Sequence, residues 1–297
     1  MTGTEKSPAL AAELCCCFPV PIAFLYFIIA QAQGKRKGGP QKCCRAAAIL
    51  TPAPSYFTMN TKGVFTMSRD SIKMVAMLTM LINHIANVFL PAGQPLTNLC
   101  LCIGYFTAVT MCFFLVEGYG CTRSKRRYAG RLLGFAVLAQ LPYQLAFPAN
   151  GIAGFVQFNM LFTLLLCFLV LLVQEKIQDR VLRGVCIVLL LCASLFCDWA
   201  LLAPVFTLLF AWAGGNRTRQ KAAFGAAALL YGGMAGLGSG QVWEAVGCAV
   251  PILVSAFVIL YLYNGRRAAR GRTFYKWFFY AFYPAHLLVL GLLRLAV

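Results

Sequence analysis

Acidic residues are scarce in this chain: eight Asp and Glu stand against 26 Lys and Arg in 297 residues. Charged residues of both signs make up 11% and hydrophobic residues 61%, with a mean hydropathy of +0.75. That balance excludes an ordinary soluble domain, whose single aqueous core needs far fewer apolar runs. Histidine occurs only twice, and no CxxC pair or Cys/His cluster has zinc spacing, so no metal is expected. Most of the fourteen cysteines lie in apolar segments, as Cys167, Cys186, Cys192 and Cys248 do, and they read as small packing residues, Cys100 and Cys102 included. Internal repeats are also missing, since the flanks of the two histidines, LINHIA and YPAHLL, do not otherwise match. A transporter would be expected to carry paired repeats and more carboxylates at mid-membrane depth.

What is present is long apolar runs. A net charge of +18 would suggest nucleic acid in a soluble protein, but here the basic residues fall in short blocks between apolar segments. The pattern predicts an all-α, multi-pass membrane bundle with the lipid bilayer, not nucleic acid, as its partner. Nine spans are expected, over 71–90, 97–119, 129–147, 159–174, 184–197, 199–213, 222–238, 243–263 and 274–293. Basic blocks follow the second, fourth, sixth and eighth spans, and the intervening loops contain no Lys or Arg. The positive-inside rule then puts the amino terminus inside, in a bacterial cytoplasmic (inner) membrane, with every basic residue except Arg294 on the inner side. Fusing the short fifth and sixth spans across Asp198-Trp199 would move Arg217, Arg219 and Lys221 outside, so charge parity favours two short helices.

Residues 1–66 differ from the rest and form an expected extension to a 67–297 domain. Their apolar stretch, CCCFPVPIAFLYFIIAQAQ, is short for a span, and the segment before it lacks the positive charge of a signal peptide. Met59 and Met67 both precede the first clear span, so the extension reads either as an untranslated or disordered addition or as a membrane-surface tail held by GKRKGGPQKCCR.

The informative stretch is SIKMVAMLTMLINHIANVFL, residues 71–90, which is long enough to cross a bilayer core of about 30 Å. Lys73 and His84 are eleven positions apart, a rotation of about 1100°, which leaves them about 20° apart on one helix face. The other histidine, His286, lies in the last span. Counted from the inner end, both imidazoles are about 18 to 20 Å deep. Each is open to a bland reading, a neutral imidazole bonding a neighbouring helix, but the shared level favours one site. No carboxylate lies at that level on the same count. A second cluster is expected at the inner face, where Glu117 precedes CTRSKRRYAGR. The run is either a topology signal or, with Arg69 and Lys73, a phosphate site built from Arg123, Arg127 and Arg131. Glu117 is expected to pair with one of these cations.

The segments SIKMVAMLTMLINHI, FFLVEGYGCTRSKRRYAGRLLGFAVLAQLPYQLAF, FNMLFTLLL and YNGRRAARGRTFYKWFFYAFYPAHLLVL resemble the TraX family, over most of residues 68–290. Its founding members acetylate the amino terminus of conjugative pilin. The family is similar in turn to membrane acyltransferases of surface glycans, whose first span carries a basic residue, ten residues and a histidine, a spacing that Lys73 and His84 match. The resemblance implies an acyltransferase with acetyl-CoA or another acyl-CoA as donor and a pilin-like peptide or surface glycan as acceptor. His84 and His286 would be catalytic, Arg69, Lys73, Arg123, Arg127 and Arg131 would hold the donor, and Asn83 and Glu117 would support them. This chain has Asn83 where the family commonly has Asp, and Tyr105 and Val109 where it has Arg and Pro. A transporter and a non-catalytic component of a conjugation or envelope assembly are the alternative readings.

Overall fold

The computed structural model describes residues 57–59, 65–148, 151–152, 155–268 and 271–296. Among them stand nine α-helices: α1 Arg69–Phe89, α2 Pro95–Cys121, α3 Lys125–Ala146, α4 Met160–Lys176, α5 Arg180–Ser194, α6 Leu202–Ala213, α7 Arg217–Ser239, α8 Val242–Phe257 and α9 Arg272–Ala296. A π-helical turn, Val258–Leu262, extends α8. Each helix occupies one of the nine expected spans. The expected extension lies outside the described residues apart from 57–59, 65 and 66; strand β1, Phe57–Met59, pairs antiparallel with β2, Phe65–Met67.

Local chemistry sets the helix ends. Ser68, Ser124, Asn159, Asp179 and Asn216 each accept a backbone N–H of the first turn that would otherwise lack a partner, opening α1, α3, α4, α5 and α7. Pro95 opens α2, where its missing N–H costs nothing. Gly240 ends α7 in the left-handed region, φ 67°.

Five helical segments are long and apolar enough to cross a membrane: α1, α2, α7, α8 with its π turn, and α9. This is a multi-pass helical membrane protein. Arg131, Gln140 and Gln144 make α3 too polar to meet that criterion, and α4 to α6 are too short. With 15 and 12 residues, α5 and α6 rise only ~22 and ~18 Å, less than the bilayer core. They are two helices, as charge parity required, and form a short, open hairpin in which each packs on α4 rather than on the other. Its tip docks on the entry to α4: Phe158 N–H donates to Phe196 O at 2.8 Å, and Asp198 N–H returns to Phe158 O at 2.8 Å.

The core is centred on α4, where residues 167–173 are all buried, among them Phe168, against Phe206 of α6 and Phe224 of α7. Close pairs surround it, α1 with α2, α3 with α9 and α7 with α8. The last pair approaches through glycine, since a side chain at Gly232 would come within 2.7 Å of the Ala245 carbonyl oxygen. Apart from that of Arg294, the helix ends that carry basic residues gather at one end of the bundle. There Arg69 of α1 meets Glu117 of α2, and Arg217 of α7 bonds the Leu260 carbonyl exposed by the π turn.

Candidate functional site

In the other half of the bundle α1 and α9 bring the two histidines together. His84 Nδ1 and His286 Nε2 are 2.9 Å apart, and the rings lie 7° from parallel with centroids 5.1 Å apart. The second nitrogen of His286, Nδ1, is 2.7 Å from the Phe282 carbonyl oxygen. A carbonyl only accepts, so His286 Nδ1 carries a proton. With both rings neutral, His286 Nε2 is then an acceptor, and His84 Nδ1 must be the donor in the bond between them. His84 is left with an unprotonated Nε2, the arrangement a general base requires. Phe147 and Tyr283 pack edge-on against the His84 ring, at 5.3 and 6.5 Å between centroids. Tyr283 is fixed in turn, its hydroxyl oxygen accepting the Met160 N–H at 3.2 Å.

His84 lines a cavity of about 330 Å³, while His286 stands behind it, outside the lining. The cavity is walled by Asn83 and Asn87 of α1, by Tyr105 of α2, and by Asp198 and Trp199 from the hairpin tip. Asp198 corrects the expectation that no carboxylate shares the level of the histidines. The fourteen steps from Arg180 to Ser194 rise ~21 Å and the fifteen from Arg69 to His84 ~22 Å, so the short hairpin ends where the imidazole lies. The signal available in the sequence was the shortness of the two spans flanking Asp198. The turn is strained: Trp199 and Leu201 both have positive φ, 58° and 60°, rare for side chains of that size.

Asn83 spends its hydrogen bonds elsewhere than on the His84 ring. Its amide donates to the Leu101 carbonyl of α2 at 2.9 Å and its oxygen accepts from Asn87 at 3.0 Å. Gly104 makes room for it, since any side chain there would collide with Asn83. Asn83 therefore joins α1 to α2 and is not the partner that orients the imidazole; that partner is His286.

At the basic end the expected donor-binding residues divide. Arg69 is buried, donating to the Phe114 carbonyl at 3.0 Å and lying 3.6 Å from Glu117. Glu117 accepts from the Tyr263 hydroxyl at 2.6 Å. Burial, and then the Glu117 carboxylate, hold the Tyr263 phenol well above its ordinary value, so it remains a donor. Lys73 extends between the rings of Phe114 and Phe279, 5.8 and 5.3 Å from their centroids. Arg131 lies over Tyr128 at 5.6 Å and bonds Tyr280, yet its buried Nε has no partner among the described residues. Arg69, Lys73 and Arg131 thus form one cationic cluster between α1, α2, α3 and α9, and Arg267 adds charge there that the sequence did not single out. Arg123 and Arg127 are exposed at the same end and belong to no such cluster. No group of three metal-ligating side chains occurs among the described residues.

A multi-pass helical membrane protein with a buried histidine pair and a separate cationic cluster is the class that fold and site define. The family model described as TraX protein matches residues 68–294, and the chain belongs to that family. It is also 33% identical over 234 residues to a protein of Dichelobacter nodosus named "Probable fimbrial assembly protein FimC, serogroup H1", a match covering 75% of this chain and 94% of the relative. No solved structure matches it significantly.

Proposed function

We propose that this TraX-family protein is an acyltransferase of the bacterial inner membrane that moves an acetyl or other acyl group from acyl-CoA to an envelope acceptor, a pilin-like peptide amino terminus or a surface glycan. The observation that carries the reading is the ordered chain from the Phe282 carbonyl through His286 to His84, which leaves His84 Nε2 as a base at a cavity wall. Arg69, Lys73 and Arg131 hold the donor phosphates at the basic end, with exposed Arg123 and Arg127 drawing the anion in. The acyl arm then follows the ~16 Å of α1 from Lys73 to His84. His84 Nε2 takes the proton of an acceptor amine or hydroxyl as its nitrogen or oxygen attacks the thioester carbonyl. The C–S bond breaks, and the imidazolium returns the proton to the departing thiolate. His286 accepts the Nδ1 hydrogen bond throughout and disperses the charge formed on His84.

The alternation of basic and uncharged loops supports an inner-membrane orientation with the amino terminus inside. Reporter fusions at Gln94 and Gly240 are expected to be external and those at Ser124 and Gln178 internal. The relative's name supports work on a surface fibre and also favours a second reading, a non-catalytic component of fimbrial or conjugative assembly. Equilibrium binding of labelled acetyl-CoA to the purified protein separates the two. Saturable binding, weakened by Arg131→Ala, is expected for the enzyme, and no binding at millimolar donor would leave the assembly component.

A further inference from the structure

Across the cavity from His84, the hairpin tip and two neighbouring helices form a wall whose chemistry the acyl-transfer chain does not use. Asp198 is the one carboxylate in the lining, and no Lys or Arg lines the cavity with it. The ion pairs among the described residues are Arg69 with Glu117 and Lys125 with Glu175, so no described cation pairs with Asp198. Its carboxylate receives the backbone N–H of Trp199. In the same lining, three aromatic rings from separate elements close on one another. Tyr105 of α2 is 5.7 Å from Trp199 and 5.1 Å from Tyr231 of α7, and Trp199 and Tyr231 are 5.2 Å apart, with interplanar angles of 77°, 90° and 38°. Rings set at steep angles present both faces and edges to the space they enclose, and ring faces attract cations. A buried carboxylate with no cation beside it is costly unless it takes up a proton or a positive charge arrives from outside the chain, and a lining that also offers ring faces favours the second. The strained backbone at Trp199 and Leu201 delivers both Asp198 and the indole to this wall.

From this we infer that Asp198, Tyr105, Trp199 and Tyr231 form a subsite for an alkylammonium group, held by the carboxylate and the ring faces while the rest of the ligand extends towards His84. The ligand chemistry is a protonated amine on a short apolar stem, which occurs both in peptides and in amine-bearing headgroups. In function the subsite anchors the acceptor through an ammonium other than the group that reacts at His84, and that role rests on the acyl-transfer reading; cation binding itself needs no donor.

The test measures binding to the full-length purified protein without acyl-CoA, as the rise in Tm at constant ionic strength. The probes are glycinamide and ethanolammonium, with neutral N-acetylglycinamide and ethylene glycol as their controls. Either ammonium is expected to raise Tm saturably and its neutral control not, the tighter one identifying a peptide or a headgroup source. Asp198→Asn, which keeps shape and removes charge, and Tyr231→Leu are each expected to weaken binding about tenfold or more. Equal responses to charged and neutral probes, or undiminished binding by a folded Asp198→Asn protein, would overturn the subsite. Cation binding without acyl transfer would instead remove the enzymatic reading and leave the subsite standing.

Discussion

His84 and His286 are 202 positions apart in sequence, yet their nitrogens meet at 2.9 Å with the rings nearly parallel. One bond ties the first transmembrane helix to the last and also selects the tautomer of His84, because His286 is committed to the Phe282 carbonyl on its other side. The bond makes the two histidines unequal: one faces the cavity and the other fixes it.

That inequality predicts different variant behaviour. His84→Ala is expected to lower acyl transfer by 10²- to 10⁴-fold, the range associated with general base catalysis, while leaving donor binding intact. His286→Ala removes the acceptor for the Nδ1 proton and frees the ring to turn, with an expected loss of about tenfold to a hundredfold. His286→Gln can still accept from His84 and is expected to recover part of it. Release of free coenzyme A thiol by matched amounts of each protein reads the series, and equal losses in the Ala and Gln variants would contradict the relay.

Much of this was legible before any coordinates. Apolar runs marked the nine helices, because runs of that kind must find either lipid or a core, and loop charge kept α5 and α6 apart. The common level of the histidines followed from the constant rise of a helix. Asp198 was not legible as a site residue, because counting depth along full-length spans puts the end of α5 at the membrane surface, while the observed hairpin stops short of it. The division of the arginines was equally hidden. Position in a basic run does not say which guanidinium turns inward, as Arg131 does, and which remains exposed, as Arg123 and Arg127 do.

Asn83 carries a prediction against the family's usual residue. Its amide donates to the Leu101 carbonyl in a close crossing that Gly104 permits. Asn83→Asp would set a carboxylate oxygen against that carbonyl, leaving two acceptors facing each other without a donor. The expected cost is about 1–3 kcal/mol of stability with no gain in transfer rate, since the bonds of residue 83 go to Leu101 and Asn87 and not to the imidazole. Thermal denaturation in detergent, run beside the thiol-release assay, checks both halves.

At the basic end Glu117 is both the acceptor for Tyr263 and the only carboxylate in an ion pair with buried Arg69 among the described residues. Removing it leaves a buried guanidinium bonded to the Phe114 carbonyl alone. Glu117→Ala is expected to destabilise the protein by about 3 kcal/mol, and Glu117→Gln, which can still accept from Tyr263, by less. If the two variants melt with the wild type, the pair contributes nothing to the α1–α2 contact.

The last prediction concerns where the folded unit begins. The stretch from Met67 to Asp70 is fastened to the segment between α8 and α9 by successive bonds: Asn264 N–H to Met67 O at 3.1 Å, Arg69 N–H to Arg266 O at 2.8 Å, and Ala268 N–H to the Asp70 carboxylate at 2.7 Å. Met67 is itself buried against Ile72 and Phe114 in a small core that Tyr263 covers. A chain starting at Met67 keeps all of these contacts and the Ser68 cap of α1, so it is expected to insert, to melt within about 1 kcal/mol of the full chain and to retain its activity. A chain starting at Asp70 loses the cap, the buried methionine and the Arg69 guanidinium together. It is expected to be several kcal/mol less stable, since the losses of a cap, a core side chain and a buried ionic partner are each substantial. Expression of the two truncations side by side, followed by thermal melting in detergent, decides the matter: failure of the Met67 chain to insert would make residues 1–66 part of the fold, and equal stability of the two would show that the strap contributes nothing.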